Sequence, residues 1–256
     1  MLADLVAGAL EDAERRRTER PLAVVEAEAL ARPAALDALT ALAPADRVKI
    51  IAEVKRASPS RGSLAAIPDP AALAVSYETG GASAISVLTE ERKFHGSLAD
   101  LEAVRDAVSI PVLRKEFVTD PYQVFEARAA GADLVLLIVA ALDQRRLTEL
   151  HDLITQLGMT SLVEAHSADE LSRALDTGAG LVGVNARDLT TFELDRDLFG
   201  RLADSIPSGV IRVAESAVKS AGDVAHYRAA GADVVLVGEA LVTSDPVATL
   251  GEFLGV

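Results

Sequence analysis

Eight short runs of apolar, β-branched residues recur along the chain, and their spacing restricts the fold more than any other feature. They are VKIIAEVK (48–55), SAISVLT (83–89), PVLRKEFV (111–118), LVLLIVA (134–140), TSLVEAH (160–166), LVGVNAR (181–187), VIRVAES (210–216) and VVLVGEA (234–240). Each is bounded by Gly, Pro or Ser and is too rich in Val and Ile for a surface helix, so each reads as a strand. The segments between them carry helix signals. DPAALAVSYETGG, DPYQVFEARAAG and SADELSRALDTG start at a capping Asp or Ser and stop at glycine, and DPVATLGEFLGV starts the same way. Residues 48–256 thus hold eight units of about 26 residues, room for one strand, one helix and two short loops. ARAAGADLVLL (127–137) returns as YRAAGADVVLV (227–237), close to four units later, with weaker copies at 78–87 and 175–184. This periodicity predicts an α/β chain folded as a closed (β/α)8 TIM barrel, not an open doubly wound sheet. No GxGxxG follows the first run, which also argues against a dinucleotide site.

Residues 1–47 stand outside the eightfold pattern and read as a helical N-terminal extension of one barrel domain spanning 1–256. LADLVAGALEDAERRR reads as one helix, with a second around PLAVVEAEALARPAALDAL. Such an extension can cap the bottom of the barrel or reach over its top, and the sequence leaves both open. The segment RASPSRGSLAAIPDP after the first run is long and rich in Pro, Gly and Ser. It reads either as a mobile lid or as an ordinary solvated loop.

Composition narrows the chemistry. No apolar run is long enough to cross a bilayer, and the N-terminus alternates charged and apolar residues at helical spacing, unlike a signal peptide or anchor. With no cysteine there is no disulfide framework and no thiolate site, which fits a soluble protein of a reducing cytoplasm. The four histidines are scattered without metal-ligand spacing. A net charge of −14 argues against nucleic acid as a partner, so an anionic ligand has to be met by a local cluster of cations. Of the 25 basic residues only five are lysine, namely Lys49, Lys55, Lys93, Lys115 and Lys219. A lysine can give up its proton when desolvated and arginine cannot, so lysines on strands draw attention. The expected partner is a small phosphorylated molecule, with no metal, no cofactor and no membrane; the oligomeric state stays open.

In such barrels the working groups stand at the C-terminal ends of the strands. There the first run carries Glu53 and Lys55 on one face, the third Lys115, the fifth Glu164, the sixth Asn185 and Arg187, and the seventh Glu215 and Ser216. Buried charges of this kind must pair with each other or with a ligand. The bland alternative is an internal salt-bridge network that fills the barrel. Phosphate is expected at the loops after the seventh and eighth runs, where backbone N–H groups converge near Ala217, Gly238 and Glu239, with Arg187 and Ser58 as further donors.

Taken in order, IAEVKRASPSRG, SVLTEERKFHGS, PVLRKEFV, LLIVAAL, LVEAH, GVNARDL, VAES and VLVGEAL resemble the motifs of the indole-3-glycerol-phosphate synthase family over essentially the whole chain. The resemblance implies closure of the indole ring of 1-(2-carboxyphenylamino)-1-deoxyribulose 5-phosphate, with loss of carbon dioxide and water, in tryptophan biosynthesis. It implies Lys115 as general acid, Glu53 as the carboxylate beside the ring nitrogen, and Lys55 against a substrate anion and in the dehydration. Glu164 becomes a base or relay, Asn185 and Glu215 orient hydroxyls, and Ser216 lies on the phosphate side. Phe94 and Phe117 form a bed for the anthranilate ring, or else belong to the core.

Two positions depart from the family pattern. The usual Glu-Ser-Gly reads Glu215-Ser216-Ala217, and an alanine resists the positive φ that glycine accepts. RKEF replaces the commoner RKDF, so Glu116 is expected to perturb strand packing more than chemistry. His166 shares a face with Glu164 and reads as a site residue or a structural one. The chain ends after the eighth unit, which suggests a monofunctional enzyme. Rival readings are a phosphoribosylanthranilate isomerase, a Schiff-base aldolase using Lys115, and a silent barrel that binds a phosphorylated ligand.

Overall fold

The eight apolar runs form eight parallel strands of one closed sheet. The computed structural model describes residues 1–188 and 193–256. It begins with α1 (Leu2–Glu19), α2 (Leu22–Ala31) and α3 (Ala38–Leu42), followed by β1 (Lys49–Val54) and a hairpin of β2 (Ala57–Ser58) and β3 (Gly62–Ser63). The alternation continues through α4 (Pro70–Thr79), β4 (Ala84–Leu88), α5 (Leu98–Ala107), β5 (Val112–Lys115), α6 (Pro121–Ala129) and β6 (Leu134–Ile138). A 3₁₀ turn (Val139–Ala141) leads to α7 (Gln144–Gln156), β7 (Thr160–Ala165), α8 (Ala168–Leu175), β8 (Leu181–Asn185), α9 (Leu198–Ala203) and β9 (Ile211–Glu215). The chain finishes with α10 (Ala221–Ala229), β10 (Val234–Val237), α11 (Glu239–Val242) and α12 (Pro246–Leu254). β1 closes the barrel by pairing with β4 on one side and β10 on the other, Ile51 lying in register with both Ala84 and Leu236. The (β/α)8 barrel expected from the spacing is the fold.

Local chemistry accounts for the repeat. Asp69, Asp120, Ser167 and Asp245 cap their helices by accepting from a backbone N–H of the first turn. In the recurring AGAD, Gly131 and Gly231 adopt φ of 90° and 93°, which ends the helix and turns the chain back into a strand. The aspartate two residues later ties the new strand to its neighbour. Asp133 accepts from Val112 N and Asp233 from Arg212 N, both at 2.9 Å. Strand residues alternate between two buried faces, as parallel sheets require. Ile50, Ile85, Val135 and Val163 join the layer shared with the helices, whereas Ile51, Leu113, Leu162 and Val213 belong to the cluster inside the barrel.

The extension does both things the sequence left open. α1 lies over the top, where Arg92 of the loop after β4 donates to Asp12 at 2.8 and 2.9 Å, and Leu2, Leu5 and Ala9 join the interior cluster. α2 runs along α6 on the outside. α3 closes the bottom, with Ala38 and Leu42 in the interior cluster and Lys49 Nζ donating to Ala41 O at 2.8 Å. The single second helix expected around 21–39 is two helices. Pro33 holds Arg32 in extended backbone, and Asp37 caps a new start by accepting from Thr40 N. Among the described residues, no helix is long and apolar enough to cross a membrane.

Arg114, next to Lys115 on β5, alternates outward and is fully buried. It donates to Gln123 O at 2.6 Å and to Glu126 at 3.3 Å, and Glu126 also takes bonds of 2.6 and 2.9 Å from Arg16 of α1. One carboxylate therefore neutralises two arginines and joins α1, α6 and β5. Removing it leaves Arg114 with only the longer 3.8 Å pair to Glu116 and Arg16 with only Glu91 at 3.3 Å, so Glu126→Ala is expected to lower the unfolding free energy by about 3 kcal/mol, measured by denaturant titration.

Candidate active site

Two residues beyond the apolar layer of Ile51, Leu113, Leu162 and Val213, the same four strands turn from apolar to ionisable. β1 contributes Glu53, β5 Lys115, β7 Glu164 and β9 Glu215, the three carboxylates buried and the lysine partly so, in the upper barrel. Such layers of four, drawn from alternate strands, are how a small barrel fills its interior. Lys115 Nζ lies 2.6 Å from Glu215 Oε2 and 3.5 Å from Glu164 Oε2. Lys55, one step further along β1, pairs with Glu53 at 2.7 Å, and Ser86 Oγ donates to Glu53 at 3.4 Å. His166 stands behind Glu164, its Nε2 3.1 Å from Glu164 Oε1 and its Nδ1 3.1 Å from Glu170 Oε2.

Burial and mutual charge set the protonation of this group in opposite directions. Burial alone would strip Lys115 of its proton, but Glu215, Glu164 and Glu53 together hold its pKa above the ordinary lysine value. Burial raises the Glu53 carboxyl, yet Lys55 and Lys115 outweigh it and the pKa falls. Glu164 is likewise lowered against burial, by Lys115 and His166. Glu215 goes the other way: burial and the charge of Glu164 outweigh Lys115 and push it up to about 8. Burial disfavours the charged imidazole, but Glu164 and Glu170 lift His166 to about 10. The layer therefore holds an ammonium, two carboxylates that stay ionised and one poised to keep a proton.

Above the layer opens a cavity of about 320 Å³. Every residue to which the sequence gave a catalytic or substrate-binding role lines it. Glu53, Lys55, Lys115, Glu164 and Glu215 lie among its walls, with Asn185 and Arg187 on the β8 side. Phe94 and Phe117 face each other with centroids 6.2 Å apart. Ser58 lies on the hairpin, and Ser216, Ala217, Gly238 and Glu239 on the last two strand ends. Phe94 is held by its loop, in which buried Glu90 accepts from the backbone N–H groups of Arg92, Lys93 and Phe94 at 2.7–3.1 Å. Asn185 Oδ1 accepts from Ser216 Oγ at 2.7 Å and from Arg187 N at 3.0 Å. Lys115 and His166 meet the two Glu164 oxygens as ion pairs, at 3.5 and 3.1 Å, without aligned hydrogen bonds, and Glu215 Oε1 has no aligned donor among the described residues.

Several particulars differ from the sequence reading. Ser216 and Ala217 do take positive φ, 69° and 60°, so alanine sits in the conformation that favours glycine. The bend is held by Tyr227, whose hydroxyl donates to Ser216 O at 3.2 Å. Gly238 serves the charged pair as well as the phosphate side, since a Cβ there would come within 2.5 Å of Glu53 Oε1 and 3.1 Å of Lys55 Nζ. Gly183, which the sequence did not single out, makes the same room for Glu215 Oε1, at 2.2 Å from a hypothetical Cβ. The Glu239 carboxylate is engaged by Arg61 of the hairpin, with Arg61 Nε at 3.0 Å. Arg61 and Lys219 also line the cavity, although the sequence gave Arg61 no role and Lys219 only its place among the five lysines. Only their neighbourhood signalled them, Arg61 in a Pro-Ser-Arg-Gly turn and Lys219 four residues past Glu215. Glu116 is buried, accepts from Thr89 Oγ1 at 2.7 Å and also reaches the cavity wall. His166 belongs with the site through Glu164. Among the described residues, no group of three His, Asp or Glu side chains is disposed to hold a metal ion.

Comparison with known proteins gives the same picture along the whole chain. The family model described as indole-3-glycerol phosphate synthase matches residues 2–252. The indole-3-glycerol phosphate synthase of Leifsonia xyli subsp. xyli is 82% identical over 256 residues, 100% of this chain and 98% of that protein. The protein of that name from Beutenbergia cavernae is 58% identical over 243 residues, covering 95% and 90% of the two chains. Among solved structures, 3-hexulose-6-phosphate synthase from Salmonella typhimurium superposes with a TM-score of 0.67 at 15% identity, over 81% of this chain and 97% of that one. That likeness concerns the fold alone.

Two measurements test this geometry. Ala217→Gly is expected to raise stability by roughly 0.5–1 kcal/mol, because relief of the positive φ exceeds the entropy cost of glycine; denaturant unfolding reads the difference. The raised groups also give stability a definite slope with pH. Stability contributed by His166 is complete below its ordinary 6.5 and is lost as pH rises to about 10. The contribution of Glu215 is complete below 4.5 and is lost by about 8. The unfolding free energy should therefore fall from neutral to alkaline pH, and His166→Asn should flatten the part above pH 8.

Proposed function

The chain belongs to the indole-3-glycerol phosphate synthase family, and from that membership we propose a division of labour among the side chains of its cavity. The family's enzymes are carboxy-lyases of tryptophan biosynthesis. They close the indole ring of 1-(2-carboxyphenylamino)-1-deoxyribulose 5-phosphate and release carbon dioxide and water. That reaction is this chain's activity.

Ring closure begins when the aromatic carbon bearing the carboxylate attacks the ketone, and the ketone oxygen needs a proton as it does so. Lys115 supplies it. An ammonium held between Glu215 and Glu164 keeps a fixed position and a proton at neutral pH, as general acid catalysis requires. Positive charge then develops toward the ring nitrogen, and Glu53, ionised and buried, stabilises it in a medium where charge is poorly screened. Loss of carbon dioxide returns the bonding pair to the ring. Lys55 meets a substrate anion and protonates the departing hydroxyl, and Glu164 acts as base or relay in that dehydration. Asn185 and Glu215 orient the sugar hydroxyls. Ser58, Arg187 and Ser216, with the backbone around Ala217, Gly238 and Glu239, receive the phosphate. Phe94 and Phe117 bed the anthranilate ring.

One observation carries this reading: the Lys115 ammonium at the floor of the cavity, 2.6 Å from Glu215. The same observation weighs against a Schiff-base aldolase, because an ammonium has no lone pair with which to attack a carbonyl. The reading extends to a single domain over 1–256, acting in the cytoplasm without cofactor, nucleic acid or membrane. The net charge of −14 and the absence of cysteine support it.

The chain has no tryptophan, so indole fluorescence reports product without a protein background. The purified protein is expected to give a steady rise with the carboxyphenylamino-deoxyribulose phosphate. Lys115→Ala should lower the rate by about 10²–10⁴-fold while leaving the far-UV spectrum unchanged. Tight substrate binding without any rise would mean a silent barrel. A borohydride-trapped adduct on Lys115 would mean Schiff-base chemistry.

A further inference from the structure

His166 and Glu170 lie outside the division of labour just described, yet they connect its buried carboxylate to the surface. His166 is the third inward position of the fifth run, after Leu162 and Glu164, and its side chain is only 6% exposed. It faces charged groups on both edges. Glu164 of its own strand lies 3.1 Å from Nε2, and Glu170 of α8 lies 3.1 Å from Nδ1. Glu170 is fixed in turn, because its Oε2 accepts from His166 N at 2.8 Å and its own N–H is bound by the capping Ser167. At 21% side-chain exposure it reaches solvent. On the inner side Glu164 Oε2 lies 3.5 Å from Lys115 Nζ. A chain of ionisable groups thus runs from Lys115 through Glu164 and His166 to Glu170, leaving the barrel beside α8 and away from the hairpin.

The balance of the reaction gives such a chain a purpose. The ketone oxygen takes one proton at ring closure and a second as it departs as water. The methylene carbon gives one proton back when the indole becomes aromatic. The carboxylate leaves as neutral carbon dioxide, its bonding pair staying in the ring. Two protons in and one out means that each turnover draws one proton from solvent. A cavity of about 320 Å³ is at the small end for a ligand site, so bound substrate takes up most of it. A route through the protein lets that proton enter while the cavity is occupied.

On the reading given above, we propose that Glu170 and His166 form the route by which this proton is delivered to Glu164, with His166 as the link. Glu164 gains a proton from Nε2 of the imidazolium, which leaves a neutral ring protonated at Nδ1; a half-turn of the ring brings the bare nitrogen to Glu170, which hands it a proton taken from water. No bond other than those to hydrogen changes. Glu164 and Glu170 keep His166 protonated at neutral pH, so the link holds a proton until Glu164 draws on it.

The test compares the wild-type full-length protein with Glu170→Gln and His166→Asn, following indole fluorescence at fixed ionic strength while imidazole buffer is raised. Glu170→Gln keeps the acceptor for His166 N, so its fold is expected to survive. Its kcat should fall at least about tenfold with KM within twofold, and should recover as imidazole rises, whereas the wild-type rate ignores the buffer. His166→Asn should fall further and recover in the same way. An active wild type with unchanged kcat in Glu170→Gln, or a loss that no buffer restores, overturns the relay. An inactive wild type would instead overturn the functional reading on which it rests.

Discussion

An ammonium enclosed by three carboxylates is the constraint around which the upper barrel is arranged. Burying one charge without a partner costs several kcal/mol, so Lys115 can occupy the barrel only with Glu164 and Glu215 beside it. Three carboxylates in one layer then repel each other and require further positive charge. Lys55 supplies it to Glu53 from one step above, and His166 supplies it to Glu164 from behind. Glu215, lacking a second cation, relaxes toward its protonated form. The space for these heads comes from side chains that are absent. Gly183 on β8 and Gly238 just past the end of β10 stand where any Cβ would meet a Glu215 or Glu53 oxygen.

The alternation of β5 makes one strand serve two networks. Lys115 points into the cavity, while its neighbour Arg114 points outward to Glu126, which also holds Arg16 of α1. The position of the ammonium is thus tied, through one strand, to the helix that crosses the barrel top. Arg92 and Asp12 anchor the same helix to the loop carrying Phe94. The N-terminal extension therefore borders the site at α1, runs down the flank at α2 and seals the floor at α3.

Strain is concentrated where β9 ends. Two consecutive residues with positive φ cost of order 1–3 kcal/mol each, and they persist because Tyr227, Asn185 and the strand before them leave the backbone no other course. The result turns Ser216 toward Asn185 and Ala217 into the cavity wall. The lysines divide along the same line between structure and chemistry. Lys49 satisfies a carbonyl of α3 at the bottom, whereas Lys55 and Lys115 meet the buried carboxylates at the top.

Features that depend on neighbours along the chain are readable from the residues alone. β-branched runs specify strands, Asp-Pro and Ser starts specify helices, and an i, i+2 spacing puts Glu53 with Lys55 and Asn185 with Arg187 on one strand face. The eightfold spacing then closes the sheet, and closure brings the polar strand ends to one rim. For that reason the candidate residues were legible as a set. Features that depend on distances across the barrel emerge only once the chain is folded. Tertiary packing made Gly183 and Gly238 necessary beside charges from other strands, joined Arg61 to Glu239, and set Glu170 against His166 across a strand–helix turn. It also routed the extension over both ends, because Pro33 and Asp37 mark a break but not the surface to which the next helix docks. Direction along a chain follows from local sterics, whereas room and partners come from residues far away in sequence.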